Sequence, residues 1–410
     1  MRNCTYVTRL FLLSSNNKHT PLMPVWLVSL LIILAAFYVM SEIVEHHFLD
    51  SLNNIARWMK LPPDVAGATL LALGTSAPEI STALLSLFLA DGANPATGVG
   101  TIVGSAIFQM LVVIGFAAVV RTCFLDWKPV MRDSIAYGIS IGMLLWFIQD
   151  GKFTLIESLG FVGAYLVYLF MLFLWTRRAN RKLRVARKNQ VHVHSTPDPQ
   201  EEIEAAQEVE RQKPLSERNP VQKASYYFTL PIRTVFSIIP DTKRNPQWTV
   251  PVFLLSLAII GYACYWMVLA AEDFAREINI PTAIIALTIL AGGSSVPEMI
   301  SSAVVSKQGK GDMAISNAVG SNIFDILMSL GLPLLIYTAL NGDIDLAAQL
   351  QAEGQSINNI TYSVLLLLGT LVLVVGLLAI QRFRANRAFG VLLIALYVVY
   401  VVAAYMGYLD

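Results

Sequence analysis

The chain predicts an all-α polytopic membrane protein, with about ten transmembrane helices in two inverted five-helix repeats. Three observations carry that prediction: the apolar weight of the composition, the number of bilayer-length apolar runs, and a motif duplicated in the two halves.

The 410 residues are 55% hydrophobic and 14% charged, with a mean hydropathy of +0.59. That is more apolar surface than one soluble core can hide, so membrane lipid is an obligatory partner. A net charge of +1 offers no electrostatic case for nucleic acid. Cys4, Cys123 and Cys264 lack CxxC spacing and specify neither a disulfide framework nor a zinc site. No P-loop or DKTG motif is present, so the chain reads as no ATPase or other enzyme, and no cofactor is implied.

A hydrocarbon layer of ~30 Å takes about 20 helical residues. Apolar runs suited to it fall near 24–45, 64–90, 98–120, 134–149, 153–175, 249–271, 282–306, 311–337, 361–380 and 388–407. Residues 1–23 read as an N-terminal tail, with Met23 a candidate start. The first repeat is expected over 24–176 and the second over 249–410. Between them, 177–248 opens with seven bases from Arg177 to Lys188 and turns acidic through EEIEAAQEVE, as a cytoplasmic loop does.

Lys and Arg gather at cytoplasmic ends. With the N-terminus outside, the inner ends collect Arg57, Lys60, Arg121, Lys128, Arg132, Lys307, Lys310, Arg382, Arg384 and Arg387. The outer ends carry mostly acids: Asp91, Asp150, Glu272, Asp273, Asp343, Asp345 and Glu353. A multi-pass protein of the cell (inner or plasma) membrane is the expectation.

The duplication is explicit. LALGTSAPEISTALLS (71–86) matches LAGGSSVPEMISSAVV (290–305), and GVGTIVGSAIFQM (98–110) matches AISNAVGSNIFDI (314–326). Five spans per copy is an odd number, so the second copy enters the membrane upside down, as in secondary transporters.

Glu79 and Glu298 lie inside these apolar spans, where a carboxylate costs at least ~2.5 kcal/mol unless protein, water or a cation meets it. Each follows a proline, Pro78 or Pro297, and a Gly with small hydroxyl residues: Gly74-Thr75-Ser76 in one copy, Gly293-Ser294-Ser295 in the other. Proline removes a backbone donor, which frees carbonyls near 74–75 and 293–294. The partner helices add Ser105 and Gln109, and Ser321, Asn322 and Asp325. The step of four from Ser to Gln or Asp puts both side chains on one face. All of these are oxygen donors, which suits Ca²⁺ and the similarly sized Na⁺ rather than a transition metal. Gly74, Gly104, Gly293 and Gly320 either admit close helix packing or expose ligands.

These paired motifs resemble the alpha repeats of the cation/Ca²⁺ exchanger superfamily. DVAGATLLALGTSAPEI, GVGTIVGSAIFQ and KGDMAISNAVGSNIFD look most like the K⁺-dependent Na⁺/Ca²⁺ exchangers. The resemblance covers both membrane halves and is strongest over 64–116 and 282–333. It implies an antiporter that exchanges Na⁺ for Ca²⁺ by alternating access. Glu79 and Glu298 become the central Ca²⁺ ligands, shared with Na⁺ in alternation. Thr75, Ser76, Ser105, Ser294, Ser295 and Ser321 line flanking sites, and Asp325 is the position associated with K⁺. Gln109 departs from the family's usual Asn, and its longer side chain bears on one flanking site. The alternative is a Ca²⁺/H⁺ or other cation/H⁺ antiporter, since the same carboxylates can carry protons. The oligomeric state stays open.

Overall fold

In the computed structural model the described residues are 24–58, 76–88, 95–188, 234–242, 244–280, 282–307, 311–352 and 357–406. Among them, seven helices are long and apolar enough to cross a membrane: Val25–Phe48, Thr97–Val120, Leu155–Leu174, Pro246–Glu277, Ala314–Asn341, Ile357–Ile380 and Arg387–Tyr405. Three more helical segments fill the remaining expected places. Ala77–Phe88 (here α1) is a short apolar helix, Trp127–Ile148 (α2) runs for 22 residues, and 282–307 is a span broken into pieces.

The inversion is visible in two small antiparallel pairings. Strand β1 (Cys123–Phe124), just before α2, pairs with β4 (Arg384–Ala385), just after the helix Ile357–Ile380 (α3); Cys123 faces Ala385. At the other end of α2, β2 (Lys152–Phe153) pairs with β3 (Ile344–Asp345), which precedes α3, and Lys152 faces Asp345. The beginning of α2 therefore meets the end of α3 and the reverse, so these fourth and ninth spans run antiparallel. The two pairings lie at opposite ends of α2 and α3, and the inverted repeat relates one to the other.

Local chemistry explains where the helices differ from the apolar runs. The fourth span starts at Trp127 rather than near 134, because Asp126 caps it by accepting from the Lys128 N–H at 3.1 Å. Arg132 and Asp133, charges that read as loop, are carried inside the helix by a 2.7 Å ion pair with each other. The first span runs on beyond 45 through a π segment, Val44–Phe48, and then Leu49–Trp58. Asn54 holds that extension by donating to the Thr242 carbonyl and Thr249 Oγ1, at 3.0 and 3.1 Å. The fifth helix continues to Lys188, so its basic stretch leaves the bundle as helix.

Among the described residues, four spans are interrupted by π segments. Besides Val44–Phe48, π segments occupy Gln109–Val113, Ala286–Leu290 and Asp325–Leu330. Two of them begin on the matched residues Gln109 and Asp325. Such wide turns recur at functional sites, because they re-aim side chains and loosen the backbone ladder.

Packing around the breaks is close. A Cβ on Gly104 would run into the Leu287 carbonyl and lie 2.7 Å from Ala291 Cβ, so that glycine lets the third span press against the seventh. A Cβ on Gly293 would enter the Phe37 ring of the first span. Among the described residues nothing lies within 4 Å of a Cβ built on Gly320, so no packing role falls to it there.

Candidate cation site

Helix starts carry the carboxylates. In the first repeat Ser76 sits in a turn and α1 begins at Ala77, which leaves Pro78 and Glu79 in its first turn. Proline is tolerated there, because those N–H groups have no intrahelical acceptor. The seventh span repeats the arrangement. Ala291–Ser294 (α4) stops, Ser295 forms a turn, and Val296–Lys307 (α5) starts with Glu298 in its first turn. The seventh span thus breaks at Ser295, beside the expected 293–294, and the Ser295 N–H bonds back to the Gly293 carbonyl instead of leaving it free; Thr75 and Gly74 lie outside the described residues. Each glutamate sits where a helix N-terminus favours negative charge.

Both acids are buried, Glu79 to 1% and Glu298 to 5% exposure, and Asp325 is at 0%. No ion pair with a base is found at Glu79 or Asp325 among the described residues. Hydroxyls and one amide meet them instead. Ser105 donates to Glu79 Oε1 at 3.3 Å and lies 2.6 Å from the Ser295 hydroxyl, so it touches both repeats. Gln109 Nε2 is 3.3 Å from Ser105 Oγ and 3.2 Å from Asp325 Oδ2, while its Oε1 accepts from Ser321 at 2.7 Å. Ser76 faces Asp325, and Ser294 sits beside Glu79.

The structure thus gathers Glu79, Ser76, Ser105, Gln109, Ser294, Ser295, Ser321 and Asp325 in one connected network, with Glu298 in the matching first turn. Ser329 joins them unanticipated, donating to Asp325 Oδ1 at 3.2 Å. Its signal is legible in hindsight, since 321, 325 and 329 continue the four-residue step along one face. A crevice lined by Phe37, Met40, Ser41, Val44, Pro78, Gly293 and Ser294 leads from the first span to both helix breaks. Phe37 and Met40 carry no local motif that marks them.

The donor set fits a hard cation. Among the described residues, Glu79 Oε2 and both ends of the Asn322 amide have no hydrogen-bond partner, although both residues are buried. Burying such groups unpaired costs about 1–3 kcal/mol each, more for a charge. A cation coordinated by Glu79 offsets that penalty for the carboxylate. Among the described residues no three His, Cys, Asp or Glu side chains cluster, so the ligation relies on hydroxyl, amide and carbonyl oxygens beside single carboxylates. Inverted repeats with discontinuous helices meeting at such a point define a secondary transporter.

The comparisons agree. The sodium/calcium exchanger protein family matches residues 28–174 and 248–406, and the chain belongs to that family. Sodium/potassium/calcium exchanger 1 of Gallus gallus is 26% identical, over 90% of this chain and 77% of its own length. Sodium/potassium/calcium exchanger 5 of Homo sapiens is 29% identical, over 82% and 75%. Among solved structures, the H⁺/Ca²⁺ exchanger CAX superposes with a TM-score of 0.56 at 15% identity, covering 98% of this chain and 87% of that one. The sodium-calcium exchanger NCX_Mj, soaked with Na⁺ and Sr²⁺, gives 0.50 at 20% identity, covering 92% and 98%. At these identities the two structures show a shared fold.

Proposed function

We propose that the chain is an antiporter that moves Ca²⁺ across a cell membrane in exchange for Na⁺, with K⁺ as a third ion acting at Asp325. The observation that carries the reading is the pair of buried glutamates in the first turns of two helices in matching places of the inverted repeats, with Ser105 linking Glu79 to Ser295 of the other repeat. The names of the curated relatives supply the ions.

Glu79 and Glu298 hold one Ca²⁺, or Na⁺ ions in its place. The hydroxyls of Ser76, Ser105, Ser294, Ser295 and Ser321, with Thr75 and the Gln109 oxygen, complete the shells. Without cations the glutamates are buried like charges, which disfavours an unloaded carrier crossing between its two open forms. That penalty makes the cycle an exchange rather than a leak. The first span, whose Phe37 lies on Gly293, slides past the broken helices to open the site to one side and then the other.

Polarity follows from charge placement. Arg121 donates to the Lys307 carbonyl at 3.2 Å, so the third and seventh spans end on one face together with β1 and β4. That face carries the bases and is the cytoplasmic one. The N-terminus is then outside and 177–248 inside, between repeats at 24–176 and 249–410.

Energetics bound the stoichiometry. Expelling Ca²⁺ against a 10⁴-fold gradient and 100 mV costs ~10 kcal/mol, at ~1.4 per decade and ~2.3 per charge. Two Na⁺ entering down a tenfold gradient supply ~7 kcal/mol and three supply ~11, so an exporter working under these conditions carries at least three.

The test is ⁴⁵Ca²⁺ uptake into Na⁺-loaded proteoliposomes. Internal Na⁺ is expected to drive uptake and internal choline to abolish it; equal uptake with either would refute the reading.

A further inference from the structure

Both oxygens of Asp325 are met by protein side chains, Oδ1 by Ser329 and Oδ2 by the Gln109 amide. The surrounding groups fix which way that amide points. Ser105 has one hydrogen, which it gives to Glu79, so it accepts from Ser295 and from Gln109 Nε2. Gln109 Oε1 accepts from Ser321, and the second Nε2 hydrogen is left for Asp325. The amide is fully used, and it bridges a residue that touches Glu79 to the acid of the other repeat.

We propose that Gln109 is a built-in competitor for the monovalent cation at Asp325: its amide N–H occupies the carboxylate oxygen that a K⁺ ion must take, and so sets the K⁺ affinity of the site. This rests on the reading above and names the residue that tunes its third ion. Asp325 is fully buried, so its Oδ2 is served by either a donor from the protein or a cation. When K⁺ arrives the Nε2–Oδ2 bond breaks. Asparagine places its nitrogen about one C–C bond, ~1.5 Å, further away. The bond is already 3.2 Å long, so the shorter amide falls out of reach. Oδ2 then loses its Gln109 donor and opens to the cation, with Ser76 still beside Asp325.

A charge-assisted hydrogen bond of this length, lost as a competitor, corresponds to roughly a tenfold gain in K⁺ affinity. The experiment measures the thermal stability of the purified full chain against KCl, with choline chloride as the ionic-strength control. It is run for the wild type, Gln109→Asn and Gln109→Ala. Half-maximal stabilisation is expected at roughly tenfold lower K⁺ in both variants, or in the variants only if the wild type binds K⁺ too weakly to register. An unchanged or higher K⁺ requirement, or stabilisation of none of the three, overturns the proposal. If one variant fails to fold, the other decides by the same criterion. Na⁺-driven ⁴⁵Ca²⁺ uptake, run in parallel, separates the two readings: its absence in the wild type sinks Na⁺/Ca²⁺ exchange, while the K⁺ titration still judges Gln109.

Discussion

Ser105 occupies the narrowest point of the site, 2.6 Å from Ser295 and 3.3 Å from Glu79. Replacing it by alanine leaves Glu79 Oε1 and one Gln109 hydrogen without partners in a buried space. The penalty of about 1–3 kcal/mol predicts a roughly tenfold or larger rise in the Ca²⁺ concentration for half-maximal uptake, read from initial ⁴⁵Ca²⁺ flux. Glu79→Gln and Glu298→Gln remove the charges themselves, and each is expected to lower uptake at least ~100-fold while the protein still elutes as a single species. Wild-type uptake in either variant would remove the glutamates from the transport step. Gly104→Ala tests the packing that lets the two repeats meet. Its new methyl faces the Leu287 carbonyl, and overpacking of about 1–3 kcal/mol should appear as a lower midpoint of thermal unfolding.

At the scale of elements, the break in the seventh span is legible because proline, glycine and a buried acid coincide there. The four-residue step from Ser105 to Gln109 likewise told which side chains share a face, and the 3.3 Å contact between them follows. The π segments were not legible, because a wide turn within an apolar run leaves the hydropathy pattern unchanged. The fourth span was read short for a different reason. Lys128, Arg132 and Asp133 look like loop until the Asp126 cap and the Arg132–Asp133 pair show how a helix carries them. Phe37 gave no signal at all, since its role depends on a glycine some 250 residues away in the chain.

The strand pairs provide a prediction at this scale. Facing residues in such pairs have Cα atoms about 4.5–5.5 Å apart, within disulfide range. Phe124→Cys with Arg384→Cys, and Lys152→Cys with Asp345→Cys, are expected to crosslink in a background lacking Cys4, Cys123 and Cys264. Before oxidation, a membrane-impermeant thiol reagent should reach the two pairs from opposite sides of sealed vesicles. Labelling of both pairs from one side would contradict the inverted arrangement.

For the whole molecule, two copies of one five-span unit close around a single pocket of oxygens, and transport follows from exposing that pocket alternately. The two-fold relation that carries β1–β4 onto β2–β3 also carries Gln109 onto Asp325, so the halves match in geometry and differ in charge. Under the proposed exchange such a carrier couples its ions through one shared site, and the Na⁺ gradient dictates the direction of Ca²⁺ movement. The most direct test starts with equal ⁴⁵Ca²⁺ on both sides of sealed proteoliposomes and imposes a tenfold Na⁺ gradient, first inward and then outward, at constant pH. Net Ca²⁺ movement opposite to Na⁺, reversing when the gradient is reversed, is the predicted result. Net movement that ignores the Na⁺ gradient and follows an imposed pH gradient would contradict the account and make protons the coupled ion.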